Sequence, residues 1–165
     1  MNGKHYENIN SSIYNESRKY MDGIIGLCNW NATTYVRSHY KFSPVLADKT
    51  INKIVDKTNY FDKIFYVVEP DASDFSSGVW YQSTTQDINH IHLLLNFTNE
   101  GKRIVKNNGL DYMKNIISKT TGLYGKEVGT VEPVRSNKAI GNYFAKQMFK
   151  SDSHHNIVFN ATATG

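Results

Sequence analysis

INHIHLLLNF, residues 88–97, sets two histidines one residue apart in an otherwise apolar run. A short apolar run of this kind reads as a strand, and side chains on a strand alternate between its faces. His90, His92, Leu94 and Asn96 therefore share one face, and Ile91, Leu93, Leu95 and Phe97 the other. The second face is wholly apolar and suited to packing on helices. The first presents two imidazoles roughly 7 Å apart at the backbone, close enough to converge on one metal ion.

Outward from that strand, the chain alternates between helical and extended patterns. Residues 1–10 read as loose, and Ser11 or Ser12 is a candidate cap for a short helix carrying Ile13, Tyr14, Tyr20 and Ile24. TTYVRSHYKF (33–42) is rich in β-branched and aromatic residues and reads as a strand. Leu46, Ile51, Ile54 and Val55 then recur at helical spacing, with Asp48 available as a cap. DKIFYVVEP (62–70) is a strand stopped by Pro70, and SSGVWYQST (76–84) reads as the return of a long hairpin. A helix near 110–121, a strand near 127–134, a helix near 137–150 and a short strand at NIVF complete the order. The expectation is one α+β domain, a central antiparallel sheet with packed helices.

The 165 residues and 39% hydrophobic content suit one domain with one core. A formal charge of +4 is compatible with a polyanionic partner without requiring one. The single Cys28 has no internal disulfide partner, and there is no apolar leader and no apolar run of about 18 residues. A reduced cytoplasmic setting and no membrane are expected. Asn-x-Ser/Thr triplets, among them those at Asn10, Asn31, Asn96 and Asn160, are set aside for want of a leader.

His90-Ile91-His92 followed by three leucines resembles the His-hydrophobic-His signature of the HUH endonuclease superfamily. That superfamily comprises rolling-circle replication initiators (Rep proteins), relaxases and single-tyrosine transposases, which nick single-stranded DNA with a tyrosine. In the initiators a helix bearing Tyr-x-x-Lys follows the signature, and YFAK, Tyr143 to Lys146, lies downstream in a predicted helix. At i and i+3 the two side chains share a helical face. A second copy, YFDK at Tyr60 to Lys63, precedes the histidines at a helix-to-strand junction and lacks that order.

The resemblance implies an HUH or RRM-like palm, with Tyr143 as nucleophile, Lys146 beside it, and a 5′-phosphotyrosine intermediate that leaves a 3′-hydroxyl. It implies a third metal ligand from the preceding strand, which Glu69 matches; Asp71, Asp74 and Asp87 fall in the presumed hairpin loop. The single-tyrosine transposases instead take a glutamine from the tyrosine helix, and Gln147 stands at that spacing. Two histidines with a carboxylate suit Mn2+ or Mg2+. The expected partners are single-stranded origin DNA, in some cases a hairpin, and host replication proteins. No GxxxxGK[ST] motif is present and no ATP is required.

Arg37 and Arg135, with Lys102, Arg103, Lys106, Lys114 and Lys138, are candidate phosphate contacts. Trp80 and Tyr81 are candidate stacking platforms for unpaired bases. Two other functions compete: a transposase using Gln147, and an RRM-like nucleic-acid-binding domain without catalysis. The latter lacks an RGFGFVxF-like strand. His154-His155 is adjacent rather than alternate, so its rings point to opposite faces of a strand and make a poor joint site.

Overall fold

The histidine run forms β3 (Asn89–Phe97), and its apolar content places it at the centre of an antiparallel sheet. β1 (Ala32–Ser38) pairs with one edge of β3 and β2 (Phe61–Glu69) with the other. β4 (Glu132–Pro133) adds to β1 and β5 (His154–Phe159) to β2, giving the order β4-β1-β3-β2-β5. The structure is a computed structural model and describes residues 3–38, 43–69, 89–149 and 154–161. The proposed hairpin return at 76–84, with Trp80, Tyr81, Asp71, Asp74 and Asp87, lies outside the described residues, as does His39.

Helices cover both faces of the sheet. α2 (Pro44–Asp56), α3 (Asn99–Asn108) and α4 (Asp111–Thr121) pack on the face of Ile91, Leu93 and Leu95. There Ile51, Ile54, Met113 and Ile117 are fully buried against Ile64 and Tyr66. α1 (Gly3–Ile25) and α5 (Asn137–Phe149) cover part of the histidine face, closing Met21, Ile24 and Phe144 over Phe65, Val67 and Leu94. The face of His90, His92, Leu94 and Asn96 thus holds a second core. Burying each such side chain contributes about 1.5–3 kcal/mol, which explains why Leu94 is as apolar as its neighbours. Among the described residues, no helix is long and apolar enough to cross a membrane.

Several elements depart from the sequence expectation. α1 begins at Gly3, so residues 3–10, expected to be loose, are helical, and neither Ser11 nor Ser12 is a cap. Ser43 caps α2, its hydroxyl accepting from the Leu46 amide, with Pro44 in the first turn. Asp48 lies inside that helix and pairs with His154 on β5. α3, unanticipated, starts at Thr98, whose hydroxyl accepts from the Gly101 amide. The expected strand at 127–134 reduces to a bridge at Val128 and the short β4, because Pro133 has no amide hydrogen for a ladder. β5 includes His154 and His155, which face opposite ways: His154 meets Tyr66 and Asp48, while His155 meets Tyr20 and Phe65.

Candidate active site

Register sets the site. Opposed residues in an antiparallel pair share a face, so the pairings Arg37↔His90↔Glu69 and Tyr35↔His92↔Val67 form two successive rows on one face. A third row, Glu132↔Thr33↔Leu94↔Phe65, follows. Glu69 ends β2 and therefore falls at the level of His90.

α5 supplies the remaining group. Phe144 is fully buried against Phe65, with ring centroids 5.7 Å apart, and fixes the helix to the sheet. From α1, Arg18 Nε donates to the Asn142 side-chain oxygen at 2.8 Å and the Tyr14 hydroxyl donates to it at 3.2 Å. Tyr143, between Asn142 and Phe144, is thereby held over His92, and the two rings meet edge to face at 5.4 Å.

The polar contacts form a chain. The Tyr143 hydroxyl is 2.9 Å from His92 Nδ1, and His92 Nε2 is 2.6 Å from a Glu69 carboxylate oxygen. A neutral imidazole has one N–H and one acceptor nitrogen. With Glu69 ionised, Nε2–H donates to the carboxylate, and the Tyr143 O–H donates to Nδ1. His92 is 7% exposed, so this tautomer is set by its partners rather than by water. The His90 ring stacks on His92 at 6.0 Å and meets Tyr35 edge to face at 5.7 Å.

Tyr143 is 44% exposed, yet its pKa is raised above the ordinary phenol value. Partial burial is the main cause, and the carboxylates of Glu69 and Glu132 and the Tyr35 hydroxyl add to it. At neutral pH the phenol is protonated and needs a base or a cation to become a nucleophile.

The structure brings His90, His92, Glu69 and Tyr143 together and puts Arg37 beside His90. Lys146 is exposed and forms no hydrogen bond or ion pair with a described residue, nor does it figure among the groups acting on the Tyr143 phenol. Gln147 is buried, and its amide oxygen has no partner among the described residues. Arg135 is exposed in the turn before α5. Lys102, Arg103 and Lys106 on α3 and Lys114 on α4 belong to the opposite helical layer, and Arg103 pairs with Glu100. Tyr60, of the second Tyr-x-x-Lys, packs on the core of that layer, away from the histidines.

Two site residues escaped the sequence reading. Tyr35 lies against His90, and Gly129 makes room for it: a Cβ there would fall onto the Tyr35 ring. The register of β1 against β3 reveals Tyr35, and the Gly129 amide, donating to the Tyr35 carbonyl, places Gly129 beside it.

Two imidazoles and a carboxylate on adjacent strands form a donor set that divalent ions accept, and His92 Nε2 and Glu69 already converge. Among the described residues, no three His, Cys, Asp or Glu side chains are gathered into a closed metal-holding group. The donors fit an ion by type and by face, with the His90 ring stacked on that of His92. No known family model, curated protein or solved structure matches the chain.

Proposed function

We propose that this chain nicks and rejoins single-stranded DNA through Tyr143, as an HUH-type initiator of rolling-circle replication for a plasmid, phage or virus. The reading is supported above all by the 2.9 Å contact between the Tyr143 hydroxyl and His92 Nδ1. It joins the helix tyrosine to the strand histidine, the two motifs on which the resemblance rests.

In the chemistry proposed, the phenol oxygen attacks phosphorus, the tyrosine O–P bond forms, and the bond from phosphorus to the preceding 3′-oxygen breaks. The phenol proton leaves to water as the bond forms, and the departing 3′-oxygen takes one up from water. Glu69 orients the imidazole from its Nε2 side. The 3′-hydroxyl is then free for host replication proteins to extend, in the cytoplasm of the host. Reversal of the same steps rejoins the strand without ATP.

His90, His92 and Glu69 would hold a divalent ion, Mn2+ or Mg2+, whose contribution is positive charge against that developing on the scissile phosphate. Were Nε2 given to that ion, the His92 imidazole would carry its one proton on Nδ1 and donate it to the phenol oxygen, favouring the phenolate. Arg37, beside His90, is a candidate contact to the DNA backbone.

A second reading, the single-tyrosine transposase, is favoured by Gln147. Its buried amide oxygen, without a partner among the described residues, lies one turn beyond Tyr143, where a cation would satisfy it.

Incubating the protein with a mixed pool of single-stranded DNA and Mn2+, with and without chelator, tests the proposal. A slower-migrating band on a denaturing gel, lost with chelator, is expected. Folded protein that yields no such band with either metal contradicts it.

A further inference from the structure

Beyond the row of His92, the same sheet face opens into a cleft of about 350 Å³. It is lined by Thr33 of β1, Glu132 and Pro133 of β4, Arg135 and Ser136 after it, and Ala139 and Ile140 of α5. Thr33 is two residues from Tyr35 along β1, so the cleft lies roughly 7 Å from the Tyr35–His92 row. Ile140 is one turn before Tyr143 on the same helix, and the Glu132 carboxylate acts on the Tyr143 phenol. The cleft is a neighbour of the site along the sheet and the helix, and none of the groups assigned to the chemistry lines it.

Its size falls at the small end of pockets that take small molecules, about 300–1,000 Å³. Its polar groups are of opposite sign, and neither Glu132 nor Arg135 forms a hydrogen bond or ion pair with a described residue. A phosphate would suit Arg135 but be repelled by Glu132, and a cation the reverse. A neutral planar ring with donors on one edge, acceptors on another and apolar faces suits both charges and the Ala139, Ile140 and Pro133 walls.

We infer that this cleft is a base-recognition subsite for an unpaired guanine next to the scissile phosphate. Guanine offers N1–H and the N2 amine to a carboxylate, and O6 and N7 to a guanidinium. Thymine offers a single donor flanked by carbonyls. Cytosine and adenine each present a single amine to the carboxylate, with acceptors at N3 and O2 in cytosine and at N1 and N7 in adenine. Only guanine uses both charged groups twice. The adjacency to a cut rests on the nuclease reading above, whereas the recognition of guanine does not.

The test is therefore a binding measurement that needs no cleavage. The full chain carrying Tyr143→Phe is titrated, by fluorescence anisotropy in chelator, against labelled twelve-residue oligothymidylates. One is unmodified, and the others carry a single central G, A or C. The G oligomer is expected to bind roughly tenfold or more tightly than the unmodified one. Glu132→Gln, which replaces an acceptor oxygen by an amine, should remove that preference while leaving the oligothymidylate affinity in place. Circular dichroism verifies that the variant is folded, and Arg135→Ala supplies an independent loss of preference. Equal or undetectable binding of all four oligomers, a preference for A or C, or a G preference that survives both substitutions overturns the inference. Failure of the nuclease reading would appear separately, as the absence of a covalent adduct with the wild-type chain.

Discussion

Tyr143 and His92, 51 residues apart in the chain, meet with the phenol oxygen 2.9 Å from Nδ1, while Glu69 occupies the other ring nitrogen. A helix and two strands thus contribute one side chain each to a continuous carboxylate–imidazole–phenol chain. Phe144 beneath the helix and Asn142 bonded to α1 hold the tyrosine in position.

Removing Glu69 should be felt at Tyr143 although the two do not touch. Glu69→Ala leaves His92 Nε2 without the group that orients it, and the rate of covalent adduct formation should fall by about 10- to 100-fold. Gln147→Ala should cost less than this. The reverse order, measured on the same DNA pool, would shift the assignment to the transposase reading.

Gly129 positions the site through Tyr35. Gly129→Ala should drive the Tyr35 ring towards His90, lower the nicking rate and destabilise the fold by about 1–3 kcal/mol. In a double-mutant cycle, Tyr35→Ala should relieve most of the stability loss. Additive losses in denaturant unfolding would show that the crowding lies elsewhere.

A second close approach governs stability alone. At Gly101 in α3 an added Cβ would fall onto the Tyr60 carbonyl, with the Phe97 Cβ at 3.2 Å, and backbone cannot move aside as a side-chain tip can. Gly101→Ala is expected to destabilise by about 1–3 kcal/mol, read as a lower urea midpoint. An unchanged midpoint would contradict this packing.

His155 predicts a pH dependence. Burial chiefly, and then the neighbouring His154, lower its pKa below 6.5 in the folded chain. The unfolded chain therefore takes up the proton more readily, so the stability linked to this group is complete above pH 6.5. It declines as pH falls below that value and levels off once the folded form is also protonated. Between about pH 7.5 and about pH 5.5, His155→Phe should lose less stability than wild type in urea unfolding. An identical loss in both would remove His155 from the explanation.

The central strand and its two faces were legible from the period of the sequence, whereas a helix tyrosine and Glu69 on the histidine face were expected only from the resemblance. The residues around them were less accessible. Tyr35 is an ordinary strand aromatic until the pairing Tyr35↔His92 brings it into the site. α3 was hidden by Gly101, a poor helix former retained where a side chain would collide with Tyr60. Lys146 has the expected spacing, but spacing fixes only a helical face. A long side chain without an anionic partner extends into water, and the Tyr143 hydroxyl instead turns to the sheet. The helical layer over Leu94 was unforeseen because an alternating strand with polar groups on one face ordinarily leaves that face wet.

The central claim is that Tyr143 is the nucleophile. Its most direct test is to digest the covalent protein–DNA adduct formed with Mn2+ and locate the nucleotide-bearing tyrosine by mass spectrometry. The modification is predicted on the peptide containing Tyr143, with no adduct from a folded Tyr143→Phe variant. A nucleotide on Tyr60 or Tyr35, or undiminished adduct from Tyr143→Phe, would contradict the account.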